Sequence, residues 1–217
     1  MSRVRPAAGG GRWVEVEPAR MAGWLERFAA RHGGSSARRT DTGLFVTGAD
    51  GGTADCQLPL GWPPETTGEP EAAFAAAATY CWRVGLLLVR RGAHAIGVAD
   101  GERLVVSKVD TQYVQGRTAA GGWSQQRFAR RRDKQTRESA EAAAEHAARV
   151  LATDPPPEAL VPGGDRAMVD AVLADKHLER WADLPRTALL DVPEPRAQTL
   201  IDAAKRYRAV RVLLRDA

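Results

Sequence analysis

Apolar positions along this chain recur with a period of two in some stretches and with helical spacing in others. Three β-rich runs, Arg83–Arg90, Ala93–Ala99 and Glu102–Val109, are separated only by Arg91-Gly92 and Asp100-Gly101. Two-residue glycine turns between such runs predict an antiparallel meander. Upstream, Arg12–Glu17 alternates like a strand. Pro18 then stands at a helix start, and Met21, Trp24, Leu25 and Phe28 share one side of a helix over Ala19–Arg31. Gly43–Thr47 and Thr53–Leu58 read as a hairpin, and Ala72–Tyr80 as a short alanine helix. Downstream of the meander, a long helix is predicted over Ser124–Leu151, ending before Pro155-Pro156-Pro157. A strand (Ala159–Val161), a helix (Asp165–Ala174), a strand (Thr187–Val192), a helix (Pro195–Tyr207) and a strand (Val210–Arg215) follow. Strands alternating with helices predict an α/β fold, a mixed central sheet with helices on both faces. Leu60–Pro70 is the best internal boundary. The expected organisation is nevertheless one domain over residues 1–217, with residues 1–80 as an N-terminal elaboration.

Composition narrows the classes. The 217 residues are 44% hydrophobic and 27% charged, with net charge +4, an ordinary globular balance. Cys56 and Cys81 make neither a CxxC pair nor a disulfide framework, which fits a reducing compartment. Cys81, just ahead of a core strand, reads as buried packing. His32, His94, His146 and His177 show no HxH or HxxxH spacing, so neither metal nor cofactor is expected. The first residues carry no apolar signal-peptide core, and the longest apolar run, Val84–Val89, is far too short to cross a bilayer. A cytoplasmic protein with no membrane partner is expected.

The basic residues cluster where the chemistry is concentrated, in GGWSQQRFARRRDKQ, Gly121–Gln135. Glycines without Cβ let backbone approach a partner closely, and Ser124 is a suitable helix N-cap. On a helical projection, Arg127, Arg130, Arg131, Lys134 and Arg137 fall within a face ~120° wide. Phe128, Ala129, Ala140, Ala143, Ala147, Val150 and Leu151 form the opposite stripe. Glu138, Glu141 and Glu145 then continue the exposed face, so the positive charge is confined to the end beside the glycines. Such a face suits nucleic-acid phosphates. A solvated face with local pairs such as Lys134–Glu138 is the plain alternative. Arg117 and Arg127 bracket the tip, and Trp123 is available to stack on a base or to fold back on the domain.

These residues resemble the loop and helix of the peptidyl-tRNA hydrolase (middle) domain of eukaryotic and archaeal class-1 release factors. There a GGQ loop is followed by Ser, two variable residues, RFAR and a basic helix. Gly121, Gly122, Ser124, Arg127, Phe128, Ala129 and Arg130 match in register. The meander resembles that domain's opening strands, and Ala159–Leu173 its strand–glycine–helix segment. Trp123 stands where the release factors have glutamine, and Gln125 and Gln126 follow. This displaced pattern is similar to the Vms-type release-factor-like branch, which has an actinobacterial version and rescues obstructed large ribosomal subunits. The chain is expected to leave no room for a codon-reading domain.

The resemblance implies hydrolysis of the ester between nascent peptide and tRNA. A glutamine amide both donates and accepts hydrogen bonds, so it can hold a water in line with the ester carbonyl without a shifted pKa. Gln125, with Gln126 second, is the expected catalytic residue. Gly121, Gly122, Trp123 and Ser124 form the loop. Arg117, Arg127, Arg130, Arg131, Lys134 and Arg137 would contact RNA. The partners implied are large-subunit rRNA and peptidyl-tRNA, and an arm of this kind needs no dimer. Two other readings stay open. One is an RNA nuclease using carboxylates such as Asp100, Glu102, Asp110 and Asp191, each more simply a surface or turn residue. The other is a non-catalytic ribosome- or RNA-binding module.

Overall fold

A computed structural model describes residues 4–111 and 124–216, with side chains for all of these except 124–133. The elements are β1 (Val4–Pro6), β2 (Arg12–Val16), α1 (Met21–Arg31), β3 (Ser35–Arg39), β4 (Gly43–Gly48), β5 (Thr53–Gln57), α2 (Pro70–Thr79), β6 (Arg83–Arg90), β7 (Ala93–Asp100), β8 (Arg103–Thr111), α3 (Ser124–Leu151), β9 (Ala159–Gly164), α4 (Arg166–Leu173), α5 (Ala197–Arg206) and β10 (Val210–Arg215). The protein is α/β, and its strands form two sheets, of six and four strands. The chain divides into two compact units. One comprises residues 1–81 with 206–217, the other residues 82–205.

In the first unit the strand order is β1-β2-β10-β5-β4-β3. Every pairing is antiparallel. The last strand of the chain therefore sits in the middle of a sheet built from its beginning. Val210 and Val212 face inward with Val16, Leu44, Val46, Ala54 and Cys56, and α1 and α2 add Met21, Leu25, Phe28, Phe74, Ala77 and Ala78. On the other face of the sheet, arginines lie over rings: Arg38 over Phe45 at 4.8 Å and Arg211 over Trp13 at 4.5 Å. The sequence reading has no strand at Ser35–Arg39. Its five residues, SSARR, lack an alternating apolar face, and pairing with β4 supplies the order instead.

In the second unit the order is β8-β7-β6-β9. The meander forms as expected, with Gly92 at φ 81° and Gly101 at φ 59° in its turns, backbone angles that favour glycine. β9 joins β6 in parallel, so the segment between them must cross over rather than turn back. Leu87, Val89, Ile96, Val98 and Leu160 on one face pack with α3, α4 and Trp181. Val84, Leu86, Leu88, Ala95, Ala99, Ala159 and Val161 on the other face are also fully or almost fully buried. A sheet buried on both faces explains why the VGLLLV run is continuous rather than alternating. A Cβ on Gly85 would meet Leu151 Cδ2 at 2.5 Å, so that glycine lets the last turn of α3 close onto the sheet.

Two expectations are adjusted. Thr187–Val192 is an irregular edge rather than a regular strand: Thr187 N–H donates to Leu160 O and Leu190 N–H to Pro162 O, with isolated parallel bridges at Arg186 and Leu190. Pro185 and Pro193 bound the segment and offer no N–H to a ladder. Cys81 is exposed, between α2 and β6, and Cys56 is the buried thiol.

Candidate functional site

Helix α3 spans 28 residues, about 42 Å at 1.5 Å per residue. Its side chains are described from Lys134 onward. Lys134, Gln135, Arg137 and Glu138 are exposed, while Ser139, Ala140, Ala143, Ala144, Ala147, Val150 and Leu151 are buried. The stripe of small side chains brings the helix close to β7 and α4. On the solvent side, Glu141 and Glu145 follow Lys134 and Arg137, so the change of sign read from the sequence lies on the exposed face. Lys134 Nζ stands 3.6 Å from Glu138 Oε1, with both side chains more than half exposed. Such a pair contributes about 0.3–0.5 kcal/mol, too little to withdraw the lysine from a competing phosphate.

Of the residues singled out in the sequence, Arg117, Gly121, Gly122 and Trp123 lie outside the described residues. So do the side chains of Ser124, Gln125, Gln126, Arg127, Arg130 and Arg131, although Ser124 begins the helix. The carboxylates of the nuclease reading do not gather. Asp100 bonds Arg83 and Arg103 beside the β7–β8 turn, which gives it a structural role. Among the described residues, Asp100, Glu102 and Asp191 belong to no cluster of metal-ligand type.

Asp110 has different neighbours. His94 on β7 is directly opposite Asp110 on β8, and His146 of α3 lies over both. His94 Nε2 and His146 Nδ1 are 2.7 Å apart, and His146 Nδ1 is 3.9 Å from Asp110 Oδ2. His94 is 2% exposed. Burial, reinforced by His146 and opposed by Asp110, pushes its pKa down to about 4, so it is a neutral imidazole near pH 7. No spacing in the sequence announces this cluster. An antiparallel register and a packed helix bring the three residues together.

A model of the family described as "Actinobacteria/chloroflexi VLRF1 release factor" matches residues 82–213, well over half of the chain. The chain belongs to this family. The VLRF1 match opens at the residue before β6, takes in α3 and the His94–Asp110–His146 cluster, and ends within β10. It therefore covers the second unit and reaches into the sheet of the first. Among solved structures, an archaeal protein is similar at 18% identity, over 75% of this chain and 52% of that one, with a TM-score of 0.38. Saccharomyces cerevisiae Dom34, described as a translation termination-like factor, is similar at 6% identity over 92% and 65%, TM-score 0.35. Archaeoglobus fulgidus Pelota is similar at 12% identity over 94% and 64%, TM-score 0.32. The chain thus spans about half to two-thirds of the length of those chains. No curated protein matches it. Among the described residues, no helix is long and apolar enough to cross a membrane.

Proposed function

We propose that this chain is a ribosome-rescue peptidyl-tRNA hydrolase, which releases the nascent peptide by hydrolysing its ester to tRNA on the large ribosomal subunit. The observation that carries the reading is the in-register run of Gly121, Gly122, Ser124 and Arg127–Arg130, inside a match to a release-factor family. The packing of α3 supports it: the helix is anchored from Ser139 onward, and just ahead of that point Lys134 and Arg137 face solvent.

In this reading Gly121 and Gly122 shape a tip narrow enough for an RNA-lined site, with Trp123 and Ser124 completing it. Gln125, or Gln126 beside it, holds the attacking water in line with the ester carbonyl through its amide. A backbone N–H of the loop stabilises the developing oxyanion or the leaving 3′-oxygen. Arg117, Arg127, Arg130, Arg131, Lys134 and Arg137 hold rRNA or tRNA phosphates. The protein works in the cytoplasm as a monomer and needs no cofactor for the ester step. Residues 1–80 elaborate the same functional domain.

The test is peptide release from purified large subunits carrying peptidyl-tRNA, with the tRNA 3′ end mapped. Release with an intact 3′-CCA end is expected of the wild type, and loss of release with retained binding is expected of Gln125→Ala. A shortened tRNA end would mean nuclease action. Full release by both Gln125→Ala and Gln126→Ala would remove the glutamine mechanism.

A further inference from the structure

His94, Asp110 and His146 come from a central strand, an edge strand and a helix, and their ligand atoms all lie within 4.8 Å of one another. A hydrogen-bonded histidine pair alone accounts for only part of this arrangement. The two ring nitrogens that face each other at 2.7 Å can share one N–H. The Asp110 oxygen, 3.9 Å from His146 Nδ1, is then left beyond hydrogen-bond reach of that ring. Three acceptor atoms thus converge on a space where, among the described residues, the facing ring nitrogens supply one proton between them. A cation there would satisfy all three.

The geometry points to a divalent metal site made by His94 Nε2, His146 Nδ1 and the Asp110 carboxylate, of the nitrogen–oxygen type that suits Zn²⁺. Two imidazoles and one carboxylate form a familiar donor set for this ion, with water completing the tetrahedron. Zn–N bonds of about 2.0–2.1 Å place two tetrahedral nitrogens roughly 3.3–3.4 Å apart. The rings must therefore open by about 0.6 Å from their 2.7 Å separation, within reach of a small side-chain rotation. His94 is held by its burial. His146 and Asp110 are partly exposed, with side-chain exposures of 18% and 37%, and these two provide the freedom and the route of entry.

The position of the site separates it from the ester chemistry. Ser124 lies 22 residues before His146 on one helix, about 33 Å along its axis. The metal would act as a clamp. It would tie Asp110, one residue before β8 ends, to the packed half of α3. This inference stands apart from the proposed hydrolase activity and survives its failure.

The experiment titrates Zn²⁺ against a chromophoric chelator, using the chelator-stripped full chain with Cys81→Ser in every sample to remove an exposed thiol ligand. Elemental analysis fixes the stoichiometry, and thermal unfolding is followed with and without Zn²⁺. The expected result is one Zn²⁺ per chain and a higher unfolding midpoint with metal. Affinity should fall at least ~10-fold in each of Asp110→Asn and His146→Gln, in line with loss of a direct ligand, and the metal-induced shift should disappear. Both variants alter partly exposed residues, so a normal circular dichroism spectrum is expected of each. His94→Gln adds a third ligand test if it folds. No Zn²⁺ binding by the folded parent, or binding unchanged in Asp110→Asn and His146→Gln, would overturn the site and leave a hydrogen-bonded histidine pair.

Discussion

The two units solve the problem of building a sheet in opposite ways. The unit of residues 82–205 is assembled from consecutive chain, with a local meander, one crossover through α3 and a parallel return at β9. The unit of residues 1–81 is incomplete without residues 206–217, because β10 separates β2 from β5. Their charged residues also differ. In the first unit, Arg38, Arg39 and Arg211 lie over aromatic rings and act partly as packing surface. In the second, Lys134 and Arg137 are exposed on α3, just ahead of its buried residues from Ser139 to Leu151. The lesson is that cationic residues count toward a nucleic-acid face only where their neighbours leave them free to exchange partners. The family match centred on the second unit runs on to residue 213, within β10. There the chain has returned to the first sheet, and only with that strand is the first unit complete.

The largest expected effect comes from removing residues 210–217. This takes a central strand from the six-stranded sheet and exposes both flanking strands. Loss of the first unit's cooperative unfolding transition, measured by calorimetry, is expected. Next come matched core truncations. Phe74→Ala, at a fully buried ring in the first unit, should cost about 3–5 kcal/mol, and Leu87→Ala in the second about 2–5 kcal/mol. Chemical denaturation followed by hydrogen exchange should show each loss in its own sheet. Equal loss of protection in both sheets from either change would break the comparison.

The combined Gln125→Ala and Gln126→Ala change should lower peptide release by roughly 10²-fold with little change in stability, as expected when a positioned reactant is lost. Single-turnover release on purified nascent-chain complexes measures it. Lys134→Glu with Arg137→Glu should weaken large-subunit binding and reduce the slope of log affinity against log salt by about 2, one for each phosphate no longer neutralised. The same reversal at Arg38 and Arg211 should leave that slope nearly unchanged, and an equal drop would erase the distinction between the two basic surfaces. The smallest effect is at a cap. Asp165 accepts a hydrogen bond from Met168 N–H at the start of α4, and Asp165→Ala should cost about 1 kcal/mol in denaturant unfolding.

Much of this architecture is legible residue by residue. The hairpin Gly43–Gly48/Thr53–Gln57, the meander and the whole of α3 follow from turn glycines and apolar spacing. The buried stripe of α3 includes Ala140, Ala143, Ala147, Val150 and Leu151, as the helical projection requires. What escapes the sequence is non-local. β3 has no apolar alternation and exists because β4 offers it a register. Cys81 precedes a core strand yet faces solvent, because burial begins only at Val84. The candidate arm was readable as a motif, whereas the His94–Asp110–His146 cluster was not. His94, Asp110 and His146 are too widely spaced in sequence to form any local pattern.

Local chemistry was thus enough to specify which segments become helices and strands, where the chain turns, and where positive charge concentrates beside Gly121 and Gly122. These depend on neighbours a few residues apart, within reach of one helical turn or one β-turn. Three outcomes needed the folded protein: the seat of β10 between β2 and β5, the packing of the Ser139–Leu151 part of α3 on its neighbours, and the convergence of two histidines with Asp110. Each is a choice among many long-range pairings of similar local propensity. That choice is made by the apolar area and hydrogen bonds gained when whole elements come together.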